Sequence, residues 1–339
     1  MVFTRMPFLP GAGLTRPSRS VHRDMTMIKP LDNVPVGPAH ALLRPSPASV
    51  RTAAAFILVA LIWGSTWLVI KHQVTGAPAS WTIAWRFVFA CPCMFVLALW
   101  RGDSLRLSGE GARVAVLVGV VQFCANFQFV YRAEQHLTSG LVAVLYALLM
   151  VPNALFSRVF LGVRLSAGFI VGSIVAMAGI GLLLLHEYRL APPTSAVPLG
   201  LALALAGLLC ASLANVLQAT AAGRRQPLVP MIAWAMLAGA VADAALAFAT
   251  SGAPVFSASP AVWLGTAYLA VAGSAVTFPL YFAMIRTMGA GRAAYNGVAV
   301  PVIAMGLSTL FEGYHWSLLA GSGAALALAG LLIALWSRK

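Results

Sequence analysis

The chain is poor in charge. Only 9% of its 339 residues are Asp, Glu, Lys or Arg, and only eight are acidic. An ordinary soluble domain carries roughly 25% charged residues. So few charges cannot wet the surface of a soluble globule of this size, which argues against a soluble enzyme or nucleic-acid binder. Cysteine is scarce as well. Cys91, Cys93, Cys124 and Cys210 all lie in apolar stretches, and Cys91-Pro-Cys93 is not a CxxC pair. No His or acid stands at ligand spacing from them, so neither a disulfide framework nor a zinc site is expected, and the thiols read as buried and inert. No GxxxxGK[ST] sequence occurs, so the chain is expected to hydrolyse no ATP. Catalytic residues, metals and cofactors are all expected to be none.

What the chain does have is apolar sequence: 60% hydrophobic residues and a mean hydropathy of +0.89. From Ala53 onward, runs of about 20 apolar residues alternate with short polar breaks, each long enough to cross a hydrocarbon core of ~30 Å. Ten spans are predicted: 53–71, 80–100, 113–131, 137–158, 166–186, 197–219, 229–250, 259–285, 291–311 and 317–336. The fourth and ninth contain Pro152 and Pro301. Residues 1–52 are different, with eight of the twenty prolines, seven basic residues and no helical periodicity. They read as a disordered basic leader held at the cytoplasmic face by anionic lipid.

The net charge of +14 acquires its meaning from this layout. With the N-terminus in the cytoplasm, eighteen of the twenty-two Lys and Arg residues fall in cytoplasmic segments. Lys71, Arg132 and Arg189 fall outside, and Arg86 lies within a span. The positive-inside rule therefore predicts cytoplasmic N- and C-termini and an even number of spans, in a multi-pass protein of the inner membrane. Trp81, Trp100, Trp316 and Trp336 lie near predicted helix ends, where an aromatic belt belongs.

A shift of 149 residues superposes two halves. Pro152 falls on Pro301, Gly140 on Gly289 and Leu161 on Leu310. The segment GSIVAMAGIGLL (172–183) falls on GSGAALALAGLL (321–332), identical at seven of twelve positions. The halves are bounded as 53–190 and 191–339, five spans each. Five is odd, so the second half enters the membrane from the opposite side. Such inverted repeats place a transporter's binding site near the midplane, between the halves. The fold class expected is an all-α integral membrane protein, ten transmembrane helices in two five-helix inverted-topology repeats.

Several local signatures carry a family resemblance. They are Ile62-Trp63-Gly64-Ser65-Thr66 in the first span and Trp85-Arg86-Phe87 in the second. The Pro152 helix is followed by Leu161-Gly162-Val163-Arg164-Leu165, and the Pro301 helix by Leu310-Phe311-Glu312 and a glycine-rich last span. With these, residues 53–336 resemble the ten-helix EamA-type permeases of the drug/metabolite transporter superfamily. The resemblance implies a bacterial inner-membrane carrier of small metabolites, often an exporter of amino acids or toxic compounds. The chain departs from the family where an acid usually follows each proline helix. Val163-Arg164 lacks it in the first half. Glu312 keeps it in the second, at a membrane edge where a helix-capping role is expected.

Polar groups inside the spans are the candidate site. Arg86 costs ~2.5–3.5 kcal/mol on insertion scales. It is expected to meet a substrate carboxylate, to bind carbonyls at a helix break, or to snorkel toward the outer end. Asp243 is the only acid deep in a span and is the candidate coupling residue; the alternative is a carboxyl bonded to a neighbouring helix. Gln122 and Asn126 share a face of the third span, and Ser212 and Asn215 a face of the sixth. Trp63, Trp67, Tyr146, Tyr281 and Tyr295 suit an apolar wall with polar tips. The expected substrate-binding set is Trp63, Trp67, Arg86, Gln122, Asn126, Tyr146, Asn215, Tyr281 and Tyr295, with Pro152 and Pro301 as gating positions. Gly168-x3-Gly172 suits close helix approach.

The function expected is a secondary carrier working by alternating access on a small amphipathic solute, a neutral amino acid or a related metabolite. A multidrug exporter of the same fold is the alternative. A membrane-embedded enzyme would need clustered carboxylates or a His–acid set, and a pore would need rings of charge or filter carbonyls; neither pattern is visible. The partners expected are a small-molecule substrate and membrane lipid, without nucleic acid, in a monomer or weak homodimer.

Overall fold

A computed structural model describes residues 47–75, 78–190, 196–281, 284 and 296–337. Among them every regular element is helical: α1 (Pro47–Val74), α2 (Ala79–Trp100), α3 (Gly109–Ala133), α4 (Ser139–Leu161), α5 (Ala167–Leu190), α6 (Val197–Ala219), α7 (Leu228–Ser251), α8 (Pro260–Tyr281), α9 (Asn296–Phe311) and α10 (Leu318–Trp336). A one-turn helix, Ala221–Arg224, links α6 to α7. Nine of the ten are long and apolar enough to cross a membrane, and α9 is a shorter apolar helix. The first helix begins at Pro47, inside the stretch read as leader; residues 1–46 lie outside the described set.

The packing has the exchange pattern of an inverted repeat. α2 lies on α7, α4 on α9 and α5 on α10, so three of the five helices meet their own counterparts. α1 packs on α8 and α9 of the other half, and α6 packs on α3 and α4. Swapping the halves leaves that pattern unchanged, as an axis in the membrane plane requires.

The tightest seam is α5–α10. A Cβ on Gly172 would lie 2.3 Å from the Ala334 nitrogen, and one on Gly179 would lie 2.3 Å from the Ala327 nitrogen and 2.6 Å from the Gly323 carbonyl oxygen. Gly330 repeats the arrangement from the other side, 2.2 Å from the Ala176 nitrogen. In lipid the hydrophobic effect does not drive helices together, so this close backbone approach supplies the packing attraction. Gly168 meets Ser337 in the same seam.

Three spans are not plain α-helices. α4 breaks between Ala147 and Met150, where Leu148, Leu149 and Val151 each donate three residues back. The cause is Pro152, whose ring displaces the carbonyl of residue i−4, Leu148. Pro301 lies inside α9 without breaking its described part. α3 and α8 contain π-turns, Gly119–Ala125 and Val271–Val276, and the 149-residue shift overlaps them. Each π-turn inserts a widened turn into its span, with Gln122 buried in the first and Ser274 in the second.

The aromatic belt needs one correction. Trp100, Trp316 and Trp336 are exposed at helix ends, but Trp81 is buried, packed with Ala84 and Ala247 of the α2–α7 contact. Helix-end position did not decide its side, because α7 covers that face.

Gly179→Ala should lower the thermal unfolding midpoint in detergent by an overpacking cost of ~1–3 kcal/mol. Gly181→Ala, whose Cβ meets nothing within 4 Å, should leave it unchanged. Equal midpoints for both variants would show that the seam yields.

Candidate functional site

Most of the aromatic and polar residues singled out in the sequence meet in one ring of contacts between the halves. α8 contributes through its π-turn. Ser274 donates its hydroxyl to the Leu269 carbonyl at 2.9 Å, five residues back across the π-turn. The Ser274 oxygen then accepts from Arg86 Nε and Nη2 of α2, both at 3.2 Å. The Arg86 guanidinium lies 4.3 Å from the centre of the Phe127 ring of α3, a cation–π contact, and 5.4 Å from that of Phe87. It is 3% exposed, so it does not snorkel; the serine and the aromatic face hold it inside.

From α3 the ring passes to α4 and α1. Asn126, next to Phe127, accepts the Tyr146 hydroxyl at 2.6 Å. The Tyr146 ring packs on Trp67 with centroids 5.1 Å apart. Gly207 of α6 makes room for that hydroxyl, since a Cβ there would stand 2.4 Å from it. Trp63 lies one turn before Trp67 on α1. Its indole N–H donates to the Gly273 carbonyl at 3.4 Å, and its ring meets Tyr281 at 5.0 Å and Phe278 at 5.7 Å. Gly273 adjoins Ser274, which closes the circuit: Arg86, Asn126, Tyr146, Trp67, Trp63, Tyr281 and the α8 π-turn. Gln122, in the α3 π-turn, is buried a turn before Asn126.

Three polar atoms of these residues are buried without a hydrogen-bond partner among the described residues: Arg86 Nη1, Trp67 Nε1 and Gln122 Oε1. Two are donors and one is an acceptor. Leaving such groups unpaired costs roughly 1–3 kcal/mol each, more for the charged one.

Two expected residues stand apart. Asn215 of α6 donates to Asn153 of α4 at 3.3 Å, beside Pro152. Asp243 of α7 belongs to a chain running toward the α3 C-terminus. Its Oδ1 accepts from Gln128 Nε2 at 2.8 Å, the Gln128 Oε1 accepts from Arg132 Nη1 at 2.5 Å, and Arg132 Nη2 donates to Ser80 at 3.2 Å. Asp243 Oδ2 has no partner among the described residues. An acid and a cation are thus linked through one amide rather than paired directly. Sequence reasoning placed Arg132 outside and missed Gln128, Asn153 and Ser274. The i,i+4 spacing of Gln128 and Arg132 was the available signal; Ser274 had none, because only the π-turn aims it inward. Tyr295 lies outside the described residues. Pro152 and Pro301 are both buried. Glu312 caps α4, accepting from the Ser139 backbone N–H at 3.2 Å and the Ser139 hydroxyl at 2.5 Å.

Two five-helix halves of opposite sense, joined around an interior ring of aromatic and polar side chains, define the class: a multi-pass membrane permease. The chain belongs to the EamA-like transporter family, whose sequence profile matches residues 51–185 and again residues 198–336. It is 26% identical over 270 residues to Protein PagO of Salmonella typhimurium, covering 78% of this chain and 86% of that one. It is 28% identical over 259 residues to the inner membrane transporter YedA of Escherichia coli K12, covering 75% and 81%. A solved crystal structure superposes with a TM-score of 0.64 at 20% identity, over 85% of this chain and 98% of the other, and shares the fold.

Gln128→Leu removes the donor to Asp243 and the acceptor of Arg132 together. It should destabilise the detergent-solubilised protein by ~1–3 kcal/mol, and Asp243→Asn by less, since its amide oxygen still accepts from Gln128. Unchanged thermal unfolding in Gln128→Leu would show that the chain bears no load.

Proposed function

We propose that this transporter is a secondary carrier of the inner membrane that exports neutral amino acids or related amphipathic metabolites by alternating access, with both termini cytoplasmic. The carrying observation is the unsatisfied set at the interior ring. Arg86 Nη1 and Trp67 Nε1 suit a carboxylate, Gln122 Oε1 suits an ammonium group, and the rings of Trp63, Phe278 and Tyr281 suit an apolar side chain. The solute binds between the halves as a monomer or weak homodimer rocks about it, with the helices of Pro152 and Pro301 as gates and Asp243 as the coupling carboxyl. A multidrug exporter of the same fold is the second reading, supported by the breadth of the aromatic wall.

Counterflow in proteoliposomes against a panel of labelled neutral amino acids and cationic dyes separates the two. Exchange of amino acids is expected; exchange of dyes alone would favour the second reading. Arg86→Ala should abolish that exchange with the protein still in the membrane. Arg86→Lys should not restore it, because an ammonium lacks the fork that binds Ser274 and a carboxylate together. Normal flux in Arg86→Ala would remove Arg86 from the site.

Orientation has its own test. Cysteines placed at Gly102 and Arg225 should react with an impermeant maleimide only after the cytoplasmic face is opened, and one at Ala253 should react in intact cells. Labelling of Gly102 and Ala253 from the same side would overturn the topology.

A further inference from the structure

Glu134 follows α3 directly and is 0% exposed, and neither of its carboxyl oxygens has a hydrogen-bond partner among the described residues. A cation is close by but otherwise engaged. Lys71, near the end of α1, donates its ammonium to the backbone carbonyl of Glu134 itself and, at 2.8 Å, to that of Leu137. The two side chains form no ion pair; among the described residues only Arg101 and Asp103 do. Lys71 therefore pins α1 to the α3–α4 loop through neutral carbonyls, while a carboxyl group stands unpartnered beside it.

That loop is a junction. His136 and Leu137 pack on Gly200 of α6, and Ser139, which opens α4, is held by Glu312 from beyond α9. α4 then carries Tyr146 to the interior ring. The pin joins α1, α3, α4 and α6 at the end of the bundle that is outermost with cytoplasmic termini.

An ionised carboxylate with neither oxygen hydrogen-bonded is far too costly to bury, so this arrangement holds Glu134 neutral. Burial pushes its carboxyl well above the usual carboxylate range. Lys71 from α1 and Arg86 from α2 oppose that push, and Glu312 adds to it. Tyr131 of α3 and Tyr146 of α4 are the other titratable groups that feel its charge.

We propose that Glu134 is a proton-binding site that latches the outer end of the bundle. With the proton bound, Lys71 stays on the two carbonyls and α1 is fixed to the α3–α4 loop. When the carboxyl gives its proton to water at the outer face, the carboxylate draws the Lys71 ammonium off the carbonyls and the loop is released. The latch closes at acid pH and opens as the pH rises through the raised titration range of Glu134. It deepens the carrier reading, for which it provides proton-sensitive outer gating, but its geometry needs no solute.

The test uses the full chain in liposomes, with the four native cysteines replaced and a cysteine at Thr138. Its labelling by an impermeant maleimide is divided, at each pH, by that of a cysteine at exposed Ala253, which corrects for thiol ionisation. The ratio should rise several-fold from acid to alkaline pH with Glu134 present, stay low and flat in Glu134→Gln, and stay high at every pH in Lys71→Met. A Glu134→Gln variant that keeps the pH-dependent rise, or a flat ratio with Glu134 present, overturns the proposal. If Glu134→Gln does not insert, Lys71→Met decides: a pH-dependent rise there overturns the latch, and a high flat ratio supports it. No solute is present, so failure of counterflow sinks the carrier reading alone. A flat ratio in protein that still exchanges labelled phenylalanine sinks the latch alone.

Discussion

Lipid cannot hydrogen-bond a backbone, and everything else in this structure depends on that. Each span must satisfy its own amides, so every regular element among the described residues is helical, and departures from the α-helix are confined to three spans. The departures are few and placed. Pro152 breaks α4 beside the Asn153–Asn215 pair. In the π-turn of α8 Ser274 donates to the Leu269 carbonyl, and its oxygen accepts from Arg86. A backbone irregularity thus makes one buried cation tolerable within the span.

The same solvent explains why the seams and the interior differ. α5 and α10 meet through Gly172, Gly179, Gly323 and Gly330, with backbones in van der Waals contact and no room for a side chain. That pair forms a rigid flank. The interior ring is built from large side chains, several of them on the three irregular spans α3, α4 and α8, and among the described residues it retains polar atoms without partners. The flank is packed backbone on backbone, whereas the centre keeps polar atoms without hydrogen-bond partners among the described residues.

Much of the interior ring could be read from residue type and period. Trp63, Trp67, Arg86, Asn126, Tyr146 and Tyr281 were selected because polar tips and a cation in apolar runs must face inward, and they do meet. What periodicity could not supply was pairing. Asn215 looks equivalent to Asn126 in sequence, yet it binds Asn153 beside a proline. Asp243 looks isolated, yet Gln128 connects it to Arg132, four helices away in sequence. Ser274 is an unremarkable serine until a π-turn rotates it. Trp81 stands where a belt residue belongs and is buried because α7 lies over it.

The sequence by itself determined the membrane class, the two repeats and the family, because these follow from local quantities: the length of apolar runs, a handful of short signatures, and a framework repeated at 149 residues. The tertiary structure decided which polar atoms are satisfied, and therefore which are left without a partner among the described residues. Satisfaction is a property of pairs of helices distant in sequence, set by crossing geometry and by turns of irregular pitch. No single segment carries it.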